Sequence, residues 1–167
     1  MKTSSCRVLV VEDWEPFRKF VCSLLRKRPE FAIVGEVTDG LEAVHQVQQL
    51  QPDLILLDIG LPSLNGIEAA RRIRKLSPES KILFASQQSS TDVVAEALGT
   101  GAQGYVVKTD AASELLGAAS AVLRGERFVG RRFSGDKFVG ASHPVFGPKL
   151  SALPSNDGQR SHCENPR

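Results

Sequence analysis

Glu12 with Asp13, Asp58, Ser86 and Lys108 each close an apolar run of the chain: VLVVED, DLILLD, KILFAS and GYVVK. If the runs are strands of an open parallel sheet, their last residues share one edge, where such sheets bind ligands. Three carboxylates, a hydroxyl and an ammonium would then meet. Hard carboxylate oxygens suit a divalent cation that keeps part of its water shell, while a hydroxyl and an ammonium donate to phosphoryl oxygens. The chemistry implied is phosphoryl handling beside a metal ion. A plainer reading of Glu12-Asp13 is helix capping, with Asp13 holding the first amides of the following helix. Capping accounts for one acid, and for neither Glu12 nor Asp58. Taken alone, Asp58 reads as a turn residue before Gly60 and Pro62, and Lys108 as a surface lysine.

The elements needed to position these residues are legible from apolar pattern and punctuation. Arg7–Val11 is a continuous apolar run, as expected of a strand covered on both faces. A helix from about Trp14, with Pro16 in its first turn, carries Phe17, Phe20, Val21, Leu24 and Leu25 at helical spacing and stops at Pro29. Phe31–Val37 is a second strand. Asp39-Gly40 opens a second helix with Leu41, Val44, Val47 and Leu50 on one face, and Leu54–Leu57 is a third strand. A helix to about Leu76 follows the loop Ile59–Asn65, with Arg71, Arg72, Arg74 and Lys75 marking a solvated face or a docking patch. Lys81–Ala85, Thr91–Leu98, Gly104–Val107 and Ala111–Leu123 complete the alternation. Five strands and five helices in strict succession predict a doubly wound α/β domain.

Of 167 residues, 1–129 carry 15 Lys and Arg against 16 Asp and Glu, whereas 130–167 carry 6 against 3. Neither part is basic enough to imply nucleic-acid binding from charge. Cys6, Cys22 and Cys163 lack metal-type spacing and read as bystander thiols. With no apolar signal core and no run approaching a membrane span of ~20 residues, a soluble cytoplasmic protein is expected. Residues 130–167 hold 14 Gly, Pro or Ser in 38 positions and no lasting periodicity. They read as a flexible tail behind a domain of residues 1–129, with a short ordered part around Phe133–Phe146.

The strand-terminal residues, their spacing and the order of elements resemble the receiver domain of two-component response regulators, from about Arg7 to Val129. LLDIGLPSLNGIEAARRIR resembles that family's phosphorylation-site motif. GAQGYVVKTDAASELLGAASAVLRGERFV is similar to the NarL/FixJ-like branch, which usually adds a LuxR-type helix-turn-helix. The resemblance implies a flavodoxin-like five-stranded sheet of order 2-1-3-4-5 with helices on both faces. It makes Asp58 the phosphoacceptor, with Mg²⁺ (or Mn²⁺) held by Glu12, Asp13, Asp58 and the backbone carbonyl of Gly60. Ser86 and Lys108 would bind the phosphoryl oxygens. Tyr105 would turn inward as Ser86 moves, unless it is simply a half-buried aromatic on an edge strand. A histidine kinase or phosphotransfer protein would be the donor. The receiver would act as a switch and not as an enzyme, with at most slow self-phosphorylation and dephosphorylation.

Three departures from the family pattern stand out. Gln87 follows Ser86 where a small residue is usual, and Gly60 offers no side chain to orient water. Both would tune access to, or hydrolysis of, the phosphoaspartate. No helix-turn-helix follows Val129, because GRRFSGDKFVGASHPVFGPKLSALP is too rich in Gly and Pro. Output through a partner protein is therefore expected, with a homodimer by analogy and without specific DNA binding. The alternatives are a pseudo-receiver used as a constitutive docking module, or a DNA-binding regulator missing its output domain. A haloacid-dehalogenase-type phosphohydrolase would need an acid at Gly60. A dinucleotide binder would need a glycine-rich turn where Glu12-Asp13-Trp14-Glu15 stands.

Overall fold

The structure, a computed structural model, describes residues 4–134. Its elements alternate in chain order: β1 (Cys6–Val11), α1 (Glu15–Arg26), β2 (Phe31–Val37), α2 (Gly40–Leu50), β3 (Leu54–Leu57), α3 (Gly66–Leu76), β4 (Lys81–Ser86), α4 (Thr91–Gly99), β5 (Gly104–Val107), α5 (Ala111–Leu123) and β6 (Phe128–Val129). Short 3₁₀ turns at Lys108–Asp110 and Arg131–Phe133 follow β5 and β6. All strands are parallel, in the order β2-β1-β3-β4-β5-β6.

The sheet therefore has six strands, where the sequence predicts five. Its sixth is two residues long, too short for any periodicity. It forms because Phe128 N donates to Gln103 O (3.0 Å) and Gly130 N to Tyr105 O (3.1 Å), covering an otherwise open sheet edge. β5 becomes an internal strand, and Tyr105 is fully buried on it, not half-buried at an edge. Packed structure thus continues past Val129 to Phe133, which is 6% exposed. The remainder of the expected tail lies outside the described residues, as does Cys163.

Two apolar cores sandwich the sheet. Leu9, Ile55, Leu57, Ile82, Phe84 and Tyr105 face α2, α3 and α4. Val8, Val10, Leu54, Leu56, Leu83 and Val106 face α1 and α5. The long apolar runs of β1, β3 and β4 are explained by this two-sided burial.

Helix faces differ slightly from expectation. In α1 the buried side chains are Phe17, Val21, Cys22 and Leu25, while Phe20 lies at the rim against Phe17. In α2 the inner stripe is Gly40, Ala43 and Val47, and Leu41 faces solvent. Gly40 sets this rotation: a Cβ there would lie 1.8 Å from the Leu64 carbonyl oxygen. No helix among the described residues is long and apolar enough to cross a membrane.

Candidate metal and phosphoryl site

β1, β3, β4 and β5 run side by side, so their carboxyl ends put Glu12, Asp13, Asp58, Ser86 and Lys108 on one edge. Asp13, Asp58, Gly60, Ser86, Gln87 and Lys108 line a cleft of about 200 Å³, together with Trp14, Ile59 and Gln88. Asp58 and Glu12 are buried, at 6% and 3% exposure, whereas Asp13 is exposed at the mouth. Carboxylate oxygens of all three acids lie within 4.8 Å of one another.

Lys108 joins the two buried acids. Its Nζ is 2.9 Å from Asp58 Oδ2 and 2.7 Å from Glu12 Oε2, and it sits 4.8 Å over the Phe17 ring. Lys108 thus bridges Asp58 and Glu12 with nearly equal contacts. Burial raises the Glu12 carboxyl above its ordinary value, which the hydrogen bond from Lys108 only partly offsets, and the charge of Asp58 adds to the rise. Burial pulls the Lys108 ammonium down, but its hydrogen bonds to Asp58 and Glu12 outweigh this and leave it raised.

Capping does not explain the acid pair. The residue before α1 is Trp14, and no side-chain cap bond forms there. It is Glu12 Oε1, not Asp13, that accepts from Trp14 N (2.9 Å). Arg18 donates to the Glu12 carbonyl (2.9 Å) and leans 3.6 Å from Glu36, tying the β1–α1 turn to β2. Asp13 is left facing the cleft.

The residues fit a hard divalent ion. Three carboxylates against one ammonium leave two formal negative charges, and every side-chain donor is a carboxylate oxygen. Gly60 is exposed with open space where a Cβ would stand, so its backbone is reachable from the cleft.

Sequence reading missed the glycine that holds Asp58 in place. Gly66 N donates to Ile59 O (2.8 Å), and a Cβ on Gly66 would lie 1.9 Å from the Asp58 carbonyl oxygen. The N-terminus of α3 can close on the end of β3 only because that residue has no side chain. Gln88 was missed too. Its carbonyl accepts from Tyr105 Oη (2.8 Å), and its N donates to Ser86 Oγ (3.3 Å).

Tyr105 is thus turned inward, its ring 6.1 Å from Phe84 and its hydroxyl tied to the β4–α4 loop. Burial pushes its phenol up to about 12; the charge of Asp58 adds to this, and a hydrogen bond with Ser86 opposes it. An unfolded phenol titrates near 10. Between those values the native state keeps a proton that the unfolded chain has lost, so stability is expected to fall as pH rises through this window. This is the chain's one tyrosine. Rapid ultraviolet titration of the folded protein should give a single phenolate midpoint near 12; a midpoint at the free value would mean an exposed ring.

A doubly wound parallel sheet with its polar cleft at the carboxyl ends of β1, β3, β4 and β5 defines a ligand-handling α/β domain of flavodoxin-like type. Within that class the chain belongs to the response regulator receiver domain family, whose model matches residues 8–120. The chemotaxis protein CheY of Thermotoga maritima is 34% identical over 116 residues, covering 70% of this chain and 96% of that protein. The transcriptional regulatory protein DegU of Brevibacillus brevis is 35% identical over 123 residues, 74% of this chain and 52% of DegU. A two-component response regulator of the LuxR family from Aurantimonas sp. SI85-9A1 superposes with a TM-score of 0.71 at 34% identity, over 75% of this chain and 89% of that one. The chain spans about half the length of curated transcriptional regulators that it matches.

Proposed function

We propose that this receiver accepts a phosphoryl group on Asp58 from a phosphohistidine of a histidine kinase or phosphotransfer protein, in a reaction that depends on Mg²⁺ or Mn²⁺. The observation that carries this reading is the buried Lys108 bridging Asp58 and Glu12, with Asp13 beside them at the mouth of the cleft. An Asp58 carboxylate oxygen forms a bond to phosphorus as the histidine N–P bond breaks and the imidazole leaves with the electron pair. Glu12, Asp13, Asp58 and the Gly60 carbonyl would hold the ion. When bound, it withdraws charge from the phosphoryl oxygens so that a weak nucleophile can attack.

Lys108 supplies the cation that meets the phosphoryl oxygens after Asp58 is modified. Ser86 supplies a hydroxyl from the neighbouring strand. Tyr105 reports the change through its bond to Gln88. The protein is a switch, not an enzyme, and it passes its state in the cytoplasm to a partner protein, with homodimer formation through helical faces. Asp58 has a neighbouring acid at neither of the next two positions, which separates the site from aspartate phosphohydrolases that need a general acid there.

Intact mass after incubation with acetyl phosphate and Mg²⁺ tests the reading. One phosphoryl adduct is expected, absent from Asp58→Asn and absent without metal. A folded protein that gains no adduct, even from a phosphohistidine donor, would instead be a constitutive docking module.

Gln87 lines the cleft with its side chain exposed, and Gly60 contributes only backbone. We infer a long-lived phosphoaspartate, since Gln87 obstructs and Gly60 cannot orient an attacking water. Gln87→Ala is expected to shorten its lifetime about threefold, a change of about 0.6 kcal/mol in the barrier. Decay of the wild-type adduct within seconds would contradict this.

A further inference from the structure

The segment after α5 is attached to the site at several points. Phe128 and Val129 pair with Gly104 and Tyr105, and Gly130 N donates to the Tyr105 carbonyl (3.1 Å). Phe133 meets the Tyr105 ring edge-on, at 6.2 Å between centroids and an interplanar angle of 88°. Arg132 grips Asp110 with both arms of its guanidinium, Nε to Oδ2 at 2.6 Å and Nη2 to Oδ1 at 3.0 Å, and also reaches Thr109 Oγ1 at 3.2 Å. Thr109 and Asp110 directly follow Lys108. Glu114, a buried carboxylate on α5, accepts from Arg131 N (3.1 Å) and so caps the 3₁₀ turn. Gly130 permits that approach, since a Cβ there would lie 2.7 Å from Glu114 Oε2.

These contacts lie on a continuous route to the cleft. Phe133 backs the Tyr105 ring, the Tyr105 hydroxyl holds the Gln88 carbonyl, and Gln88 N holds the Ser86 hydroxyl. Resting on the phosphoryl-accepting reading above, we propose that Arg132 and Phe133 are positioning residues. They fasten residues 128–133 as a clasp that keeps Tyr105 inward and is thereby coupled to the occupancy of Asp58. The chain leaves the receiver through this clasp, so whatever follows residue 134 is tethered to an element that responds to the site.

Coupling of this kind is reciprocal. If a phosphoryl group on the Ser86 side of the cleft stabilises the inward ring, it tightens the clasp, and the clasp must strengthen phosphoryl binding by the same factor. A purely structural strap would change stability without that linkage. Arg132 is solvent-exposed, so its removal takes nothing from the core, whereas Phe133 is buried.

The test uses the full 167-residue chain and beryllofluoride with Mg²⁺ as the phosphoryl analogue, read by fluorescence of Trp14, the single tryptophan, which lines the cleft. Beryllofluoride is expected to slow amide exchange of residues 128–134 severalfold. Arg132→Ala and Phe133→Ala are expected to weaken beryllofluoride about fivefold or more, with affinity for Mg²⁺ alone changed by less than about twofold. If Phe133→Ala does not fold, Arg132→Ala decides the matter. Tight beryllofluoride binding with unchanged exchange and unchanged affinity in Arg132→Ala would overturn the clasp and leave the phosphoryl site standing. No beryllofluoride binding by the folded wild-type protein would overturn the phosphoryl reading, and the clasp with it.

Discussion

Lys108→Ala is expected to tighten Mg²⁺ binding about tenfold while abolishing the response to phosphorylation. The ammonium now sits 2.7 Å from Glu12 and 2.9 Å from Asp58, so an arriving dication meets acids that are already partly neutralised. Removing one unit charge from ~5 Å beside a dication is worth about 1.7 kcal/mol even at a water-like dielectric near ~80, which covers the stated tenfold. Without metal the same variant leaves two buried carboxylates unpaired and should lose about 3 kcal/mol of stability. Mg²⁺ should then restore more stability to the variant than to the wild-type protein. Titration of Trp14 fluorescence gives the affinity, and thermal melts with and without Mg²⁺ give the stability. Weaker metal binding in Lys108→Ala would show that the lysine shapes the acid cluster and does not compete within it. Amide exchange over residues 128–134 with beryllofluoride, unchanged in the variant, would register the lost response.

The second large effect is expected at a position with no charge at all. A methyl group on Gly66 would sit 1.9 Å from the Asp58 carbonyl oxygen and 2.8 Å from its carbon, so the α3 N-terminus and the end of β3 must part. Gly66→Ala should lose about 3 kcal/mol, lowering Tm by roughly 10 °C, and should weaken Mg²⁺ binding by about tenfold because Asp58 moves with its backbone. Gly117→Ala is the matching control. Gly117 lies in α5 with nothing within 4 Å of the added carbon, so the change should stabilise the protein by about 0.5–1 kcal/mol. Equal effects of the two substitutions would mean that helix propensity, and not close approach, governs Gly66.

These two sites differ in how openly the sequence displays them. Lys108, Asp58 and the Glu12-Asp13 pair stand at the ends of long apolar runs. A parallel strand buried on both faces must be apolar throughout, so the first polar residue after it marks the functional edge. Pro29, Pro52 and the Gly99–Gly101 stretch separate the elements, which is why β2, β3 and β5 have the bounds expected of them. Gly66 carries no such mark, because its role depends on a backbone eight residues earlier returning to within van der Waals distance. The inner stripe of α2 was obscured for the same reason, since the contact between Gly40 and Leu64 turns the helix. β6 is fixed by the free edge of β5 rather than by any pattern of its own. The inward ring of Tyr105 depends on that strand, so its full burial could not be read from neighbouring residues.

Lys108 and Asp58 are fifty positions apart in the chain, and every strand-to-strand connection in the sheet crosses over a face. During biosynthesis the acids therefore emerge long before their counter-ion. A nascent chain that ends before β5 holds Glu12, Asp13 and Asp58 with no lysine between them and with the edge of β4 unpaired. Such contacts are slow to form, because the closure entropy of long loops comes due before the pairing that rewards it. On the phosphoryl-accepting reading proposed above, folding and completion of the site thus coincide: the acids gain their lysine only when the last internal strand docks, and half-made copies would stay silent.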